Sequence, residues 1–338
     1  MPDGHRVAVL GGGSFGTVIA NIIAANGHPT RLWMRNSLGA ELINTTHENP
    51  EYLPGYALHA NLSATTDLEQ SIENIDILFV AVPSKSFREV VRRVADQLKQ
   101  DVLVISLTKG IESPGFHLMS EILRDELVGN PIGVLSGPNL AKEIAQGHLT
   151  GSVIATATPV HNEIIQLLLH SNTFRVYSSH DMYGVELGGA LKNVYAIMSG
   201  LGGALGLGEN TMGMLMTRAL AEMSRFAVHM GANPMTFLGL AGVGDLIVTC
   251  ASPLSRNYRV GYALGEGQSL DQILEELGQV AEGINTLALL KSEADRRNVY
   301  MPLVNGLYAI LYERRTVNDV VGDMMLAEQT QDVEFVIS

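Results

Sequence analysis

Cysteine is nearly absent from this chain. Its 338 residues include one, Cys250, which excludes an intramolecular disulfide and any C-x-x-C site and fits a reducing compartment. Long apolar runs are missing as well. None reaches the ~18 residues of a membrane span, and the nearest, Val194 to Leu207, is short and rich in glycine. No cationic stretch with an apolar h-region precedes the first strand pattern, so no signal peptide and a cytoplasmic location are expected. Positive charge is scarce: 22 Lys and Arg stand against 35 Asp and Glu, a net charge of −13. A nucleic-acid partner needs a basic face, so that class is excluded. An anionic substrate would be repelled by the global field and would need a few cations focused at one point. The ten histidines are scattered, with no H-E-x-x-H, and no metal is expected. No G-x-x-x-x-G-K-[ST] phosphate loop occurs.

What the chain does have is a glycine turn almost at its start. Arg6 to Leu10 reads as a buried strand, Gly11, Gly13 and Gly16 form a Gly-x-Gly-x-x-Gly turn, and Thr17 to Ala25 is an apolar helical segment closed by Asn26-Gly27. Strand, turn and helix together are the setting in which this motif binds a dinucleotide. Gly11 allows the tight turn, Gly13 lets a pyrophosphate approach the backbone, and Gly16 lets helix and strand pack closely. The N–H groups at the helix start, around Ser14 and Phe15, then face the phosphates. The second strand, Thr30 to Met34, ends in Arg35 rather than the acid that holds the ribose 2′-hydroxyl of NAD. Arg35 therefore favours a 2′-phosphate, so NADP(H) is at least accepted beside NAD(H). A solvated arginine is the other reading.

Further strands are expected at Ile75–Val82, Val102–Leu107, Ile132–Leu135, Val153–Ala157 and Thr173–Tyr177, with helices at Ser86–Leu98 and 159–170. Strands alternating with helices predict an α/β, doubly wound, largely parallel Rossmann-like sheet. Ligands of such sheets sit beyond the carboxyl ends of the strands. Lys109 and Gly137-Pro138-Asn139 fall on that rim. From about Asp181 strand patterns vanish and long helical patterns take over, including Glu186–Ser199, Asn210–Met230, Ala281–Arg297 and Leu303–Glu313. The expected division is a dinucleotide-binding domain over 1–185 and an all-α substrate and catalytic domain over 186–338. The residues after Ala327 are expected to be peripheral.

Lys192 stands out in the helical half. Between Asp181 and Arg218 the only formal charges are Glu186, Lys192 and Glu209, and the lysine lies in the apolar, small-residue stretch Leu187 to Val194. Burial disfavours the charged form of a lysine and suits it to proton transfer near neutral pH. A lysine snorkelling at a helix edge is the alternative. Asp245, at the end of a Gly239–Gly244 stretch, is either a functional carboxylate or the N-cap of the next helix. Ser255-Arg256-Asn257 sets a hydroxyl, a guanidinium fork and an amide side by side, which suits a phosphate, unless it is a helix start capped by Ser255. Glu282-Gly283 offers a cofactor contact, although a first-turn glutamate needs no such role. A dinucleotide site plus Lys109, Lys192 and Arg256 points to a redox reaction on a small phosphorylated or carboxylated carbonyl.

From Val7 to about Val321 the chain resembles the bacterial NAD(P)-dependent glycerol-3-phosphate dehydrogenases. The resemblance rests on Gly11–Thr17, Lys109-Gly110-Ile111, Ser136-Gly137-Pro138, Gly189–Val194, Thr217-Arg218 with Ala221-Glu222-Met223, Thr236–Leu246, Thr249-Cys250 with Ser255-Arg256-Asn257, and Ala281-Glu282-Gly283. It implies reversible reduction of dihydroxyacetone phosphate to sn-glycerol 3-phosphate, feeding glycerophospholipid synthesis, by a homodimer. It implies that Lys192 is the proton donor or acceptor and that Asp245 orients it. Lys109, Gly137, Asn139, Lys192, Asp245, Ser255, Arg256 and Asn257 would line the substrate. Ser14, Phe15, Arg35, Lys109, Ala141, Arg256, Val280 and Glu282 would touch the cofactor. The chain departs from the family pattern at Phe15, often tryptophan, at Asn139, usually serine, and at Gly203, where an acid is common. Two rival readings are a 3-hydroxyacid or ketopantoate type of dehydrogenase and a non-catalytic NAD(P)H sensor.

Overall fold

The computed structural model describes residues 4–277 and 281–326. Val280 and the tail from Ala327 onward lie outside the described residues. The chain divides into two compact units: Met1–Glu112 with His117–Glu186, and Ser113–Phe116 with Leu187–Ser338.

The first unit is built on an eight-stranded sheet of β1 (Val7–Leu10), β2 (Thr30–Trp33), β3 (Leu62–Thr65), β4 (Ile77–Val80), β5 (Leu103–Ser106), β6 (Ile132–Ser136), β7 (Thr150–Thr156) and β8 (Phe174–Ser179). The strand order is β8-β7-β6-β5-β4-β1-β2-β3. β1 to β6 run parallel in the 3-2-1-4-5-6 order of a dinucleotide-binding fold. β7 pairs antiparallel with β6, and β8 runs parallel to β7. The expectation of a largely parallel, doubly wound sheet therefore holds, with a two-strand reversed edge. Both faces are covered. Val7 and Val9 of β1 face one apolar core with Ile19, Leu32 and Phe79; Ala8 and Leu10 face the other with Leu78, Phe87 and Val104. Strands buried on both faces read as continuous apolar runs, as β1 and β4 do.

The second unit is helical among its described residues. Its main elements are Met182–Ala204, which begins in the first unit, Glu209–His229, Asp245–Ala251, Arg256–Gly265, Glu282–Arg297 and Pro302–Tyr312. Small residues let these helices approach closely. A Cβ on Gly188 would overlap the Ala241 carbonyl, and one on Gly261 would overlap the Ile197 carbonyl. Tyr195 and Phe226 are fully buried. Glu222, also buried, accepts from Leu303 N–H at 2.6 Å, Val304 N–H at 3.3 Å and the Tyr195 hydroxyl at 3.2 Å. It thereby caps helix Pro302–Tyr312 and braces the helix that carries Lys192. Burial pushes the Glu222 carboxyl up to about 7.

Candidate active site

In the first unit the site is the glycine turn and its surroundings. Helix Ser14–Ala25 starts at Ser14, inside the motif, with Gly13 as its N-cap in extended conformation. Gly11 has φ of 124°, which disfavours a side chain, and a Cβ there would overlap the Ala81 carbonyl. A Cβ on Gly16 would overlap the Gly11 carbonyl. At Gly13 the added Cβ meets nothing within 4 Å. The two outer glycines thus close the turn on itself, and the middle one opens on space at a helix N-terminus, as a pyrophosphate requires. The residues present fit a dinucleotide.

A segment the sequence reading passed over underlies this turn. Asn49, fully buried, donates to the Gly12 carbonyl at 3.0 Å and to Thr17 Oγ1 at 2.9 Å. The Ser14 hydroxyl donates to the Tyr52 carbonyl at 2.7 Å. Gly12 to Gly16 also spells G-x-S-x-G, the pattern of a hydrolase elbow, but this serine hydroxyl is spent on a backbone carbonyl. What Ser14 offers a phosphate is its N–H. Phe15 packs partly buried against the core. Arg35 is exposed just past β2. On the same rim Lys109 donates to the Gly137 carbonyl at 2.7 Å. Asn139 donates to Ser152 Oγ at 3.1 Å, and Ser152 donates to the Ser136 carbonyl at 2.9 Å. The Asn139 Oδ1 atom is buried and has no hydrogen-bond partner. Ala141 opens the short helix Ala141–Ala145.

In the second unit Lys192 is 6 % exposed and Asp245 is fully buried. The Lys192 ammonium is paired with Asp245 Oδ1 and donates to Thr249 Oγ1 at 2.6 Å. Thr249, which the sequence reading did not single out, also donates to Asp245 Oδ1 at 3.3 Å. Asp245 is not an N-cap. It is the first residue of helix Asp245–Ala251, which follows the π-helical turn Leu240–Gly244, so its side chain is left to the lysine. A lysine could be buried here only with such a partner, because an unpaired ammonium in apolar surroundings costs several kcal/mol. Next to Thr249, burial pushes the Cys250 thiol up to about 12, so it stays protonated and is no nucleophile.

Ser255 does cap its helix, accepting from Tyr258 N–H at 3.3 Å. Asn257, buried, donates to Asn193 Oδ1 at 2.9 Å and accepts from Gly283 N–H at 3.1 Å. It ties the residue after Lys192 to the start of helix Glu282–Arg297, where Glu282 is the first residue. Arg256 alone of the trio is exposed. At Gly203 an added Cβ would overlap the Tyr258 hydroxyl. Among the described residues no group of three His, Cys, Asp or Glu could hold a metal, and no helix is long and apolar enough to cross a membrane.

A parallel sheet in this strand order with its glycine turn, followed by a helical unit with a buried lysine–aspartate pair, defines an NAD(P)-dependent dehydrogenase. Residues 6–161 match the N-terminal model of the NAD-dependent glycerol-3-phosphate dehydrogenases, and residues 181–322 match the C-terminal model. The chain belongs to that family. It is 57 % identical over 337 residues to a glycerol-3-phosphate dehydrogenase [NAD(P)+] of Saccharophagus degradans, covering 99 % of this chain and 93 % of that one. It is 58 % identical over 334 residues to one of Teredinibacter turnerae, covering 99 % and 98 %. The crystal structure of glycerol-3-phosphate dehydrogenase from Coxiella burnetii superposes with a TM-score of 0.91 at 35 % identity, covering 96 % of this chain and 100 % of that one.

Proposed function

We propose that the chain is an NAD(P)-dependent glycerol-3-phosphate dehydrogenase that reversibly reduces dihydroxyacetone phosphate to sn-glycerol 3-phosphate, with Lys192 moving the proton. The observation that carries this reading is the buried Lys192 ammonium held by Asp245 and Thr249, in a helix whose other formal charge is Glu186. NAD(P)H, held at the Gly11–Gly16 turn, would supply the hydride for the C2 carbonyl. As hydride arrives, negative charge grows on the carbonyl oxygen; the Lys192 ammonium stabilises it and delivers the proton. Asp245 holds the ammonium in place and offsets its charge. Asn257 donates to Asn193, the residue after Lys192, and so braces the helix that carries the lysine.

The phosphate does no chemistry. Its binding energy holds the carbonyl in place; the residues assigned to the substrate are Lys109, Gly137 and Asn139 in the first unit and Ser255, Arg256 and Asn257 in the second, with the Arg256 fork suited to the phosphate. Gly11, Gly13, Ser14, Phe15, Gly16, Arg35, Lys109, Ala141, Arg256, Val280 and Glu282 form the cofactor set. Residues 1–185 serve as the cofactor domain and 186–338 as the catalytic domain. The reaction feeds glycerophospholipid synthesis in the cytoplasm, and the enzyme is a homodimer with no nucleic-acid partner.

The test is to follow NADPH absorbance with dihydroxyacetone phosphate beside a panel of 2-oxo acids. Turnover restricted to the phosphate supports the reading. Preference for a 2-oxo acid, or cofactor binding with no turnover on any carbonyl, overturns it.

A further inference from the structure

The end of β2 lacks the acid that would hold a ribose 2′-hydroxyl, yet the fold brings one there from elsewhere. Asn36, immediately after Arg35, donates from its side-chain amide to Glu51 Oε2 at 2.9 Å. The Asn36 amide is itself fixed, since its Oδ1 caps the next helix through Gly39 N–H at 3.1 Å. Glu51 is no loose surface residue either. It lies in Asn49–Tyr52, whose two ends are fastened to the glycine turn by the Asn49 and Ser14 hydrogen bonds described above. A carboxylate is thereby anchored beside a guanidinium-bearing residue, at the strand end where dinucleotide folds read the 2′ position.

We propose that Glu51, held by Asn36 beside Arg35, is a specificity-determining residue that favours the 2′-hydroxyl of NAD(H) and opposes the 2′-phosphate of NADP(H). The inference rests on the cofactor reading above and deepens it. A carboxylate accepts a hydrogen bond from a ribose hydroxyl. Against a phosphate it brings like charge, which disfavours binding. Arg35 acts in the opposite sense. The pair makes a balanced site, with a cation for one cofactor and an anion for the other. This explains how a chain without the usual strand-end acid still takes both.

The experiment is fluorescence titration of the intact protein with NADPH and with NADH, giving dissociation constants without turnover. Glu51→Gln keeps an acceptor for Asn36 and removes the charge; Glu51→Ala removes both. Both variants should raise the ratio of the NADH constant to the NADPH constant about tenfold at low salt, chiefly by tighter NADPH binding. The gain should shrink at 1 M salt, where the Debye length falls to ~3 Å. An unchanged ratio, or equal weakening of both cofactors, overturns the proposal and makes Glu51 only a fastener of its loop. If the wild-type protein binds neither cofactor, the cofactor reading falls first and this one with it.

Discussion

The Lys192 ammonium donates to the Thr249 hydroxyl at 2.6 Å, and that hydroxyl lies one helical turn from Asp245, the carboxylate that holds the same ammonium. The charge and the hydroxyl do different work. Asp245 compensates the buried cation, while Thr249 aims it. Lys192→Ala should therefore lower kcat by about a thousandfold or more while NADPH binding persists. Thr249→Val keeps the shape and the ion pair but frees one ammonium hydrogen, and should lower kcat about tenfold with little change in KM. Steady-state kinetics paired with cofactor titration checks both; near-normal kcat in Lys192→Ala would remove the lysine from the chemistry.

Arg35 is exposed and lies two residues past the end of β2. Arg35→Asp reverses the charge offered to a 2′-phosphate. The KM for NADPH should rise by about tenfold or more, and that for NADH by no more than about twofold. Equal changes for the two cofactors would free Arg35 of any part in reading the 2′ position.

Arg256 begins helix Arg256–Gly265 and, unlike its buried neighbours Ser255 and Asn257, is exposed. The Ser255 and Asn257 side chains make a cap and the Asn193 bridge; the guanidinium is the cation proposed for the phosphate. Arg256→Ala should raise the KM for dihydroxyacetone phosphate by about 30- to 100-fold through the loss of charge-assisted hydrogen bonds, and harm unphosphorylated dihydroxyacetone far less, by no more than the cofactor contact it also removes. Parallel loss on both substrates would show a different role.

The features legible in the sequence are those with local causes. The glycine turn announces itself because its three glycines answer to steric demands within a few residues. Lys192 was conspicuous as the one cation in a long apolar stretch. Partnerships made by tertiary folding left no such trace. Nothing around Asn49 or Glu51 signals that the loop returns to the glycine turn, and Thr249 reads as an ordinary helical threonine until Lys192 is set beside it. Helix Met182–Ala204 extends beyond the expected Glu186–Ser199. Gly200 and Gly203 suggest a stop by propensity, but they are the places where Tyr258 packs closely, so packing outweighs propensity. Likewise β3, Leu-Ser-Ala-Thr, has weak strand character of its own and forms by pairing with β2.

Glu186 gives a pH prediction of definite sign. Its carboxyl is buried, accepts from Ser120 N–H at 2.9 Å through Oε1, and leaves Oε2 without a partner. Burial pushes it up from 4.5 to about 7; the Ser120 bonds and the charge of Arg124 oppose the rise, while Glu121 adds to it. The folded protein therefore holds a proton that the unfolded chain has released between about pH 4.5 and pH 7. Stability contributed here is full below that window, declines as pH rises through it, and is lost above it. Glu222, raised by burial to about the same value, adds a second decline over the same range. Glu186→Gln keeps an acceptor for the Ser120 N–H and cannot ionise. It should match the wild type within about 0.5 kcal/mol at pH 5 and exceed it by roughly 1–3 kcal/mol at pH 8. Urea unfolding at four pH values from 5 to 8 makes the comparison, and a constant difference between the two proteins across that range would show that Glu186 does not take up the proton on folding.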